Sequence, residues 1–186
     1  MRCGAARISG CGSTTAGNAS RSWRAADLVG SRRLNWPLGV LAMDAKPTYL
    51  FEVLDHTADR GLVAYGSDLA ELFEACAHGM FSLMANLNVE NPQHRQDWSL
   101  EADGLEDLLV SWLRELLFSF EVEGILWTRF RVSQIHQSPA SLTATTWGIP
   151  ISQAELHGAV VKAVTYHGLE VRWDGSRWRA QVIFDV

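Results

Sequence analysis

Cysteine is scarce in this sequence, and its placement excludes two kinds of small protein. The 186 residues contain three cysteines, of which Cys3 and Cys11 lie within the first 42 residues. Cys76 is the only cysteine in the rest of the chain. A disulfide framework and a four-cysteine zinc site are therefore excluded there. This composition predicts a reduced, cytoplasmic protein.

Long apolar runs and the motifs of common enzyme families are missing as well. The longest apolar run of the N-terminal part, residues 36–43, is too short to cross a bilayer and is interrupted by Pro37. The sequence contains no P-loop, dinucleotide-binding glycine pattern, nucleophile elbow or zinc deaminase motif. We therefore expect no association with a membrane, and the case for an enzyme is weak.

Acidic residues are nearly absent from residues 1–42, which hold six arginines against Asp27 alone. These residues show no sustained hydrophobic period, which predicts a disordered extension over 1–42 and a single domain over 43–186. The extension resembles a transit peptide in composition. Alternatively, Met43 is the true start and the residues before it are an artefact of start-site assignment. The lack of a clear amphipathic helix favours the second interpretation.

The predicted domain is strongly acidic. Residues 43–186 contain 10 basic and 20 acidic side chains, a net charge of −10. Proteins that bind nucleic acids usually present a basic face. We therefore expect no direct binding of DNA, and no binding of a phosphate backbone without a partner protein. Cations and basic protein surfaces are the partners that this charge favours.

Hydrophobic periodicity predicts two helices and at least six strands. Apolar residues recur at spacings of three and four over 69–87 and again over 105–120, which is typical of amphipathic helices. The predicted strands are 49–54, 61–65, 97–101, 125–135, 142–147, 161–167, 169–173 and 178–186. Two such helices and these strands must bury each other's apolar sides. We therefore predict an α+β fold, a mixed β-sheet with both helices packed on one face.

The C-terminal 27 residues contain the clearest local pattern. Asp174-Gly175 between two strand patterns predicts a β-hairpin. The two-residue period of the second strand places Phe184 and Val186 on one face and Asp185 on the other. Asp185 also adjoins the terminal carboxylate of Val186. Two hard anionic oxygen donors at the end of an ordered strand favour a cation, a proton or a basic partner.

Four other polar residues have more than one interpretation. Asp59 ends a short polar loop that begins at His56, where it is either a turn former or a ligand. Lys162 is either a partly buried cation that compensates the negative charge of the carboxylates or a lysine at an exposed strand edge. His56 and His167 are candidates for ligands or proton shuttles. Neither has a second histidine or cysteine at zinc-binding spacing.

Several short motifs, taken in order, resemble the archease family over about residues 49–186. The motifs are His56-Thr57-Ala58-Asp59, Tyr65-Gly66, the leucine-rich helix 105–120, the run from Val161 to His167, and Asp185-Val186. The resemblance implies a small α+β protein that is not itself an enzyme. It implies an activator of the RtcB-type RNA-splicing ligase, which promotes guanylylation and multiple turnover of the ligase in tRNA splicing and meets tRNA only through it.

The resemblance also implies a metal site formed by Asp59, Asp185 and Val186. Calcium is the implied metal, with magnesium and manganese as alternatives, and His56, Lys162 and His167 would surround the site or contact the partner. The sequence departs from the family pattern at Ile149 and Val160, where acidic residues often stand. These departures put in doubt any partner contact that depends on those acids.

Two further hypotheses remain open. A metal-dependent hydrolase would use Asp59 and Asp185 to hold the ion, with His56 or His167 as general base. A chaperone-like module for tRNA-modifying enzymes, such as methyltransferases, is an idea that the resemblance also brings.

Overall fold

The computed structural model describes residues 49–55, 59–158 and 160–186, and for Asp55 and Asp59 it describes the backbone alone. The extension predicted at 1–42 lies outside the described residues. The elements follow in the order β1 (Leu50–Asp55), β2 (Asp59–Gly66), α1 (Leu69–Ser82), β3 (His94–Ala102), α2 (Leu105–Glu123), β4 (Ile125–Gln137), β5 (Ala140–Pro150), a 3-10 turn (Ile151–Gln153), β6 (Ala163–Trp173) and β7 (Trp178–Asp185).

The strands form two sheets, one with the order β1-β2-β7-β6 and the other with the order β3-β5-β4. The predicted α+β class is confirmed, and the arrangement differs from the expected mixed sheet in two respects, namely the division into two sheets and the direction of the strands. All pairings between the described strands are antiparallel. In three of the five pairings, β1 with β2, β4 with β5 and β6 with β7, only two to four residues separate the strands, and so short a connection joins only antiparallel neighbours.

Each helix packs against strands of both sheets: α1 contacts β2 and β4, and α2 contacts β6 and β3. The predicted apolar stripes are confirmed, since Leu72 and Met80 of α1 and Leu109 and Trp112 of α2 are fully buried. The helices therefore provide the apolar surface that both sheets bury. No helix in the part of the chain that the structure describes has the length and apolarity needed to span a membrane.

The helix ends follow local sequence in two of three cases. Asp68 caps α1 by accepting a hydrogen bond from the Glu71 amide at 2.8 Å, and Gly124 ends α2 with a φ of 69°. Asp103, with Glu106 three residues later, has the sequence pattern of a capping box at the start of α2, but it does not cap the helix. The N-cap residue is Gly104, without a side-chain hydrogen bond, because the helix begins one residue later than the pattern suggested.

One carboxyl group is buried between α1 and β4. Glu74 is only 6% exposed, and its Oε1 accepts a hydrogen bond from the Val132 amide at 2.7 Å. Loss of hydration raises the pKa of Glu74 from 4.5 to about 6, against the lowering effect of that hydrogen bond. Between pH 4.5 and about 6 the carboxyl group is therefore mostly protonated in the folded protein and mostly ionised in the unfolded chain.

The burial of Glu74 predicts a pH dependence of stability. A carboxyl group whose pKa is raised by folding makes the protein less stable as the pH rises. The loss begins near the pKa in the unfolded chain, 4.5, and is complete above the pKa in the folded protein, about 6. The loss approaches about 2 kcal/mol. Glu74→Gln keeps an acceptor for Val132 and cannot ionise, so the variant should gain up to about 2 kcal/mol over wild type at pH 8 and nothing at pH 4.

Urea unfolding at pH 4, 5, 6 and 8 measures this difference, with Glu101→Gln on the exposed side of β3 as the matched control. The control should follow wild type at every pH. An identical pH dependence in Glu74→Gln and wild type would contradict the assignment.

Candidate cation site at the end of the four-stranded sheet

Strand register brings two of the predicted ligand positions together. Strand β7 lies between β2 and β6, and Asp185 is paired with Asp59 on one side and with Ala163 on the other. Directly opposite Cα atoms in antiparallel pairs lie about 4.5–5.5 Å apart. The backbone thus places Asp59 and Asp185 opposite each other, on the same face of the sheet.

The alternation of β7 explains why Asp185 is available at this position. Val182 and Phe184 are fully buried, and Val186 packs against the same core. Asp185 lies on the other face and is exposed. The face assignment predicted from the sequence is therefore confirmed, and it follows from the pleat of a half-buried strand.

Lys162 contacts the last two residues of the sequence. Its amide donates to the Asp185 carbonyl oxygen at 2.8 Å, and its Nζ donates to a main-chain oxygen of Val186 at 3.0 Å. Lys162 is exposed, as expected for a lysine at a strand edge. It also contacts the terminal residue, as the first interpretation expected, but it is not partly buried.

The two histidines are not brought into this group. His167 is exposed on β6, four positions beyond Ala163, which corresponds to about 13 Å along a strand. His56 lies outside the described residues. Among the side chains that the structure describes, which do not include those of Asp55 and Asp59, no three from His, Cys, Asp or Glu form a group that could hold a metal ion.

The donors available here fit a hard divalent cation. Asp59, Asp185 and Val186 offer carboxylate or main-chain oxygens and no sulfur or imidazole ligand. Oxygen ligands of this kind suit calcium, which accepts irregular shells completed by water, better than zinc. The three-residue ligand set remains a prediction.

A groove between α2 and β6 adjoins this end of the sheet, and sequence analysis missed it. Its lining includes Arg114, Phe118, Lys162 and Val164. Arg114 donates two hydrogen bonds to the Val164 carbonyl oxygen, at 3.3 and 2.9 Å, and its guanidinium lies over the Tyr166 ring. Phe118 is 58% exposed. An aromatic residue just outside the apolar stripe of α2 was the sequence signal for this surface.

A family model supplies the decisive comparison. The model described as "Archease protein family (MTH1598/TM1083)" matches residues 51–186. The chain belongs to the archease family. The match includes both strands of the candidate site and extends to Val186.

Relatives and solved structures agree with this assignment to the archease family. The protein archease of Methanosarcina acetivorans is 36% identical over 139 residues, 73% of this chain and 95% of the relative. That of Methanothermobacter thermautotrophicus is 35% identical over 137 residues, 73% of this chain and 98% of the relative. The solution structure of Methanobacterium thermoautotrophicum protein 1598 is similar with a TM-score of 0.65 and 35% identity, over 73% of this chain and 98% of the other.

A more distant structure supports the fold alone. The crystal structure of an archease from Thermotoga maritima, described as a possible chaperone, has a TM-score of 0.52 and 22% identity, over 76% of this chain and 97% of the other. The resemblance to the archease family found in the sequence is thus confirmed.

The two departures from the archease pattern lie in different environments. Ile149, on β5, is buried, whereas Val160 is 52% exposed just before β6. An acid at position 149 would have to be buried. Valine in place of an acid at position 160 removes a negative charge from the surface next to Lys162.

Proposed function

We propose that this protein activates an RtcB-type RNA-splicing ligase in tRNA splicing or RNA repair, promoting its guanylylation and multiple turnover without catalysing a reaction itself. Membership of the archease family supports this role. The observation that carries the proposal is the register pairing of Asp59 with Asp185, next to a Val186 oxygen that Lys162 contacts. These groups concentrate hard oxygen donors at one exposed end of the sheet.

We propose that Asp59, Asp185 and the carboxylate that Val186 bears as the last residue of this sequence hold a divalent cation. Calcium suits these donors best, and magnesium and manganese also take oxygen ligands. A bound cation supplies a positive charge to which the phosphate oxygens of a nucleotide can bind. Lys162 orients the Val186 oxygen, while His56 and His167 remain candidates for contact with the partner.

The surface next to the proposed cation site suits a protein partner. Phe118 exposes an aromatic ring in the α2–β6 groove, and Lys162 is shared by the groove and the cation site. The net charge of −10 over residues 43–186 complements the basic cleft in which a ligase binds its nucleotide. A ligase bound at the groove would have the cation close to its active site, and tRNA would be met through the ligase. We place this encounter in the cytoplasm.

The experiment that tests the proposal measures formation of the covalent ligase–GMP adduct. Purified ligase is mixed with labelled GTP and manganese, with and without the full chain. We expect the chain to accelerate adduct formation by at least about tenfold, which corresponds to about 1.4 kcal/mol of barrier. The chain alone should form no adduct. An unchanged rate with a ligase that is active by itself would overturn the proposal.

The two alternative functions predict different experimental results. One alternative is the chaperone-like module for tRNA-modifying enzymes. In that case a pull-down would recover a tRNA methyltransferase rather than a ligase. The hydrolase hypothesis has less support, because His167 lies about 13 Å along β6 from the pair formed by Asp59 and Asp185. It requires phosphoester turnover by the chain alone.

A further inference from the structure

The first residues of β6 form one side of the candidate cation site. Strand β6 stands at the end of its sheet, so β7 is its only neighbour among the strands that the structure describes. Ala163 is paired with Asp185, and the amide and Nζ of Lys162 contact main-chain oxygens of Asp185 and Val186. On this side, the position of the last two residues therefore depends on how firmly the start of β6 is held.

The pairing of β6 with β7 is interrupted, and its first stretch is short. Residues 163–165 pair with residues 183–185, and pairing resumes only at Glu170. The four residues 166–169 of β6 thus lie opposite Val182 alone. Three residue pairs that are cut off from the rest of a ladder open more readily than a continuous ladder. The first stretch therefore gains much from a further attachment.

Arg114 attaches this stretch to α2. Its Nε and Nη2 donate to the Val164 carbonyl oxygen at 3.3 and 2.9 Å. Its guanidinium also lies over the ring of Tyr166, the first residue of the unpaired segment, 5.1 Å from the ring centroid. Leu113 and Leu116 on the same turns of α2 are fully buried, so the helix gives Arg114 a fixed base.

We propose that Arg114 is a positioning residue of the cation site. By fixing the Val164 carbonyl oxygen, it holds the start of β6 against the end of β7, and Lys162 then keeps its contacts with Asp185 and Val186. Arg114 acts through β6 and is not itself a ligand, because a guanidinium has no acceptor atom. The inference rests on the cation site proposed above.

The charge of Arg114 has the opposite effect on cation binding. A guanidinium near the site repels a divalent cation, so the loss of its charge alone would make cation binding tighter. The loss of positioning makes cation binding weaker. The direction of the change in affinity therefore separates the two effects.

Titration calorimetry of the full chain with calcium chloride, without ligase, measures this direction. Arg114→Met keeps the apolar stem of the side chain and removes its donors and its charge. We expect the dissociation constant to rise by about five- to tenfold. Arg114→Lys keeps the charge and a donor at the end of a flexible stem, and should bind calcium within about threefold of wild type.

The matched control is Arg172→Met, which removes the same charge from the other end of β6. Arg172 is paired with Arg179, six residues along β7 from Asp185, or about 20 Å. This distance exceeds the screening length of about 10 Å at 0.1 M salt. Arg172→Met should therefore bind calcium within about twofold of wild type.

Hydrogen exchange of the Lys162 amide provides a measurement that needs no cation. This amide donates to the Asp185 carbonyl oxygen at 2.8 Å, so its exchange rate reports how often the start of β6 separates from β7. In EDTA, the amide should exchange at least about fivefold faster in Arg114→Met than in wild type. The amides of residues 170–173, in the second paired stretch, should change by less than about twofold.

Two results would overturn the proposal. Unchanged or tighter calcium binding by Arg114→Met would leave Arg114 without a positioning role at the site. Equal acceleration of exchange in both paired stretches would assign Arg114 to the stability of the whole domain. A wild-type chain that bound no calcium would instead disprove the ligand set proposed above, and exchange at Lys162 would still decide whether Arg114 holds the start of β6.

Discussion

Replacing Trp112 with alanine should lower the free energy of unfolding by about 4 kcal/mol. Trp112 of α2 is fully buried and packs edge-on against Trp98 of β3, with the ring centroids 6.0 Å apart. Its Nε1 donates to the Phe73 carbonyl oxygen of α1 at 3.3 Å. The substitution opens a cavity where both helices meet a strand and leaves that carbonyl without its indole donor. Because single domains are stable by about 5–15 kcal/mol, this loss leaves little margin at 37 °C.

Urea unfolding followed by far-UV circular dichroism measures the effect, and α2 supplies its own control. Phe118 lies on the same helix and is 58% exposed. Phe118→Ala should change the free energy of unfolding by no more than about 0.5 kcal/mol. Trp112→Phe should fall between the two, since it keeps part of the ring volume but not the hydrogen bond. Equal losses for Trp112→Ala and Phe118→Ala would contradict the assignment of the core.

The parts of the fold that sequence predicted are those that depend on neighbours within one element. The stripes of both helices follow from the helical period, and the burial of Phe184 opposite an exposed Asp185 follows from the strand period. Gly124 ends α2 because glycine readily adopts the positive φ that this end requires. Each of these patterns is complete within about twenty residues of the printed sequence.

Features that depend on distant residues were not predictable in the same way. Alternation in β3 and β7 has the same appearance whether the strands belong to one sheet or two, so the division into two sheets was missed. The register that places Asp59 opposite Asp185 joins two ends of the domain, and only the resemblance to the archease family anticipated their meeting. Glu74 seemed to be an ordinary helix residue because its partner, the Val132 amide, lies on β4.

The β6–β7 hairpin shows how close a local prediction can come. Its pairing is confirmed, with Trp173 opposite Trp178. The connection is the four-residue loop 174–177 that the predicted strands leave between them, and it is closed by the Asp174 amide, which donates to the Arg177 carbonyl oxygen. The Asp174 carboxylate accepts from loop amides, which lowers its pKa to about 2. The aspartate thus stabilises the loop at the position where the sequence predicted the turn.

Replacing Asp185 with asparagine should remove cation binding and, with it, most of the stimulation of the ligase. The substitution keeps the size of the side chain and takes away one of the proposed anionic donors. Calcium affinity depends strongly on the charge of the ligand set, so we expect the dissociation constant to rise by at least about tenfold. Titration calorimetry with calcium chloride measures the affinity, and the ligase–GMP assay measures the stimulation. Asp59→Asn should have the same effect.

The control for Asp185→Asn is Asp103→Asn, which removes the same charge from an exposed position just before α2. It should leave both measurements unchanged. A C-terminal tag provides an independent test, because it converts the Val186 carboxylate into a peptide carbonyl, whereas an N-terminal tag does not. Loss of calcium binding with the first tag alone would agree with Val186 as a ligand. If Asp185→Asn bound calcium as wild type does, the register pairing of Asp59 with Asp185 would have no role in holding a cation, and stimulation of a ligase would need another explanation.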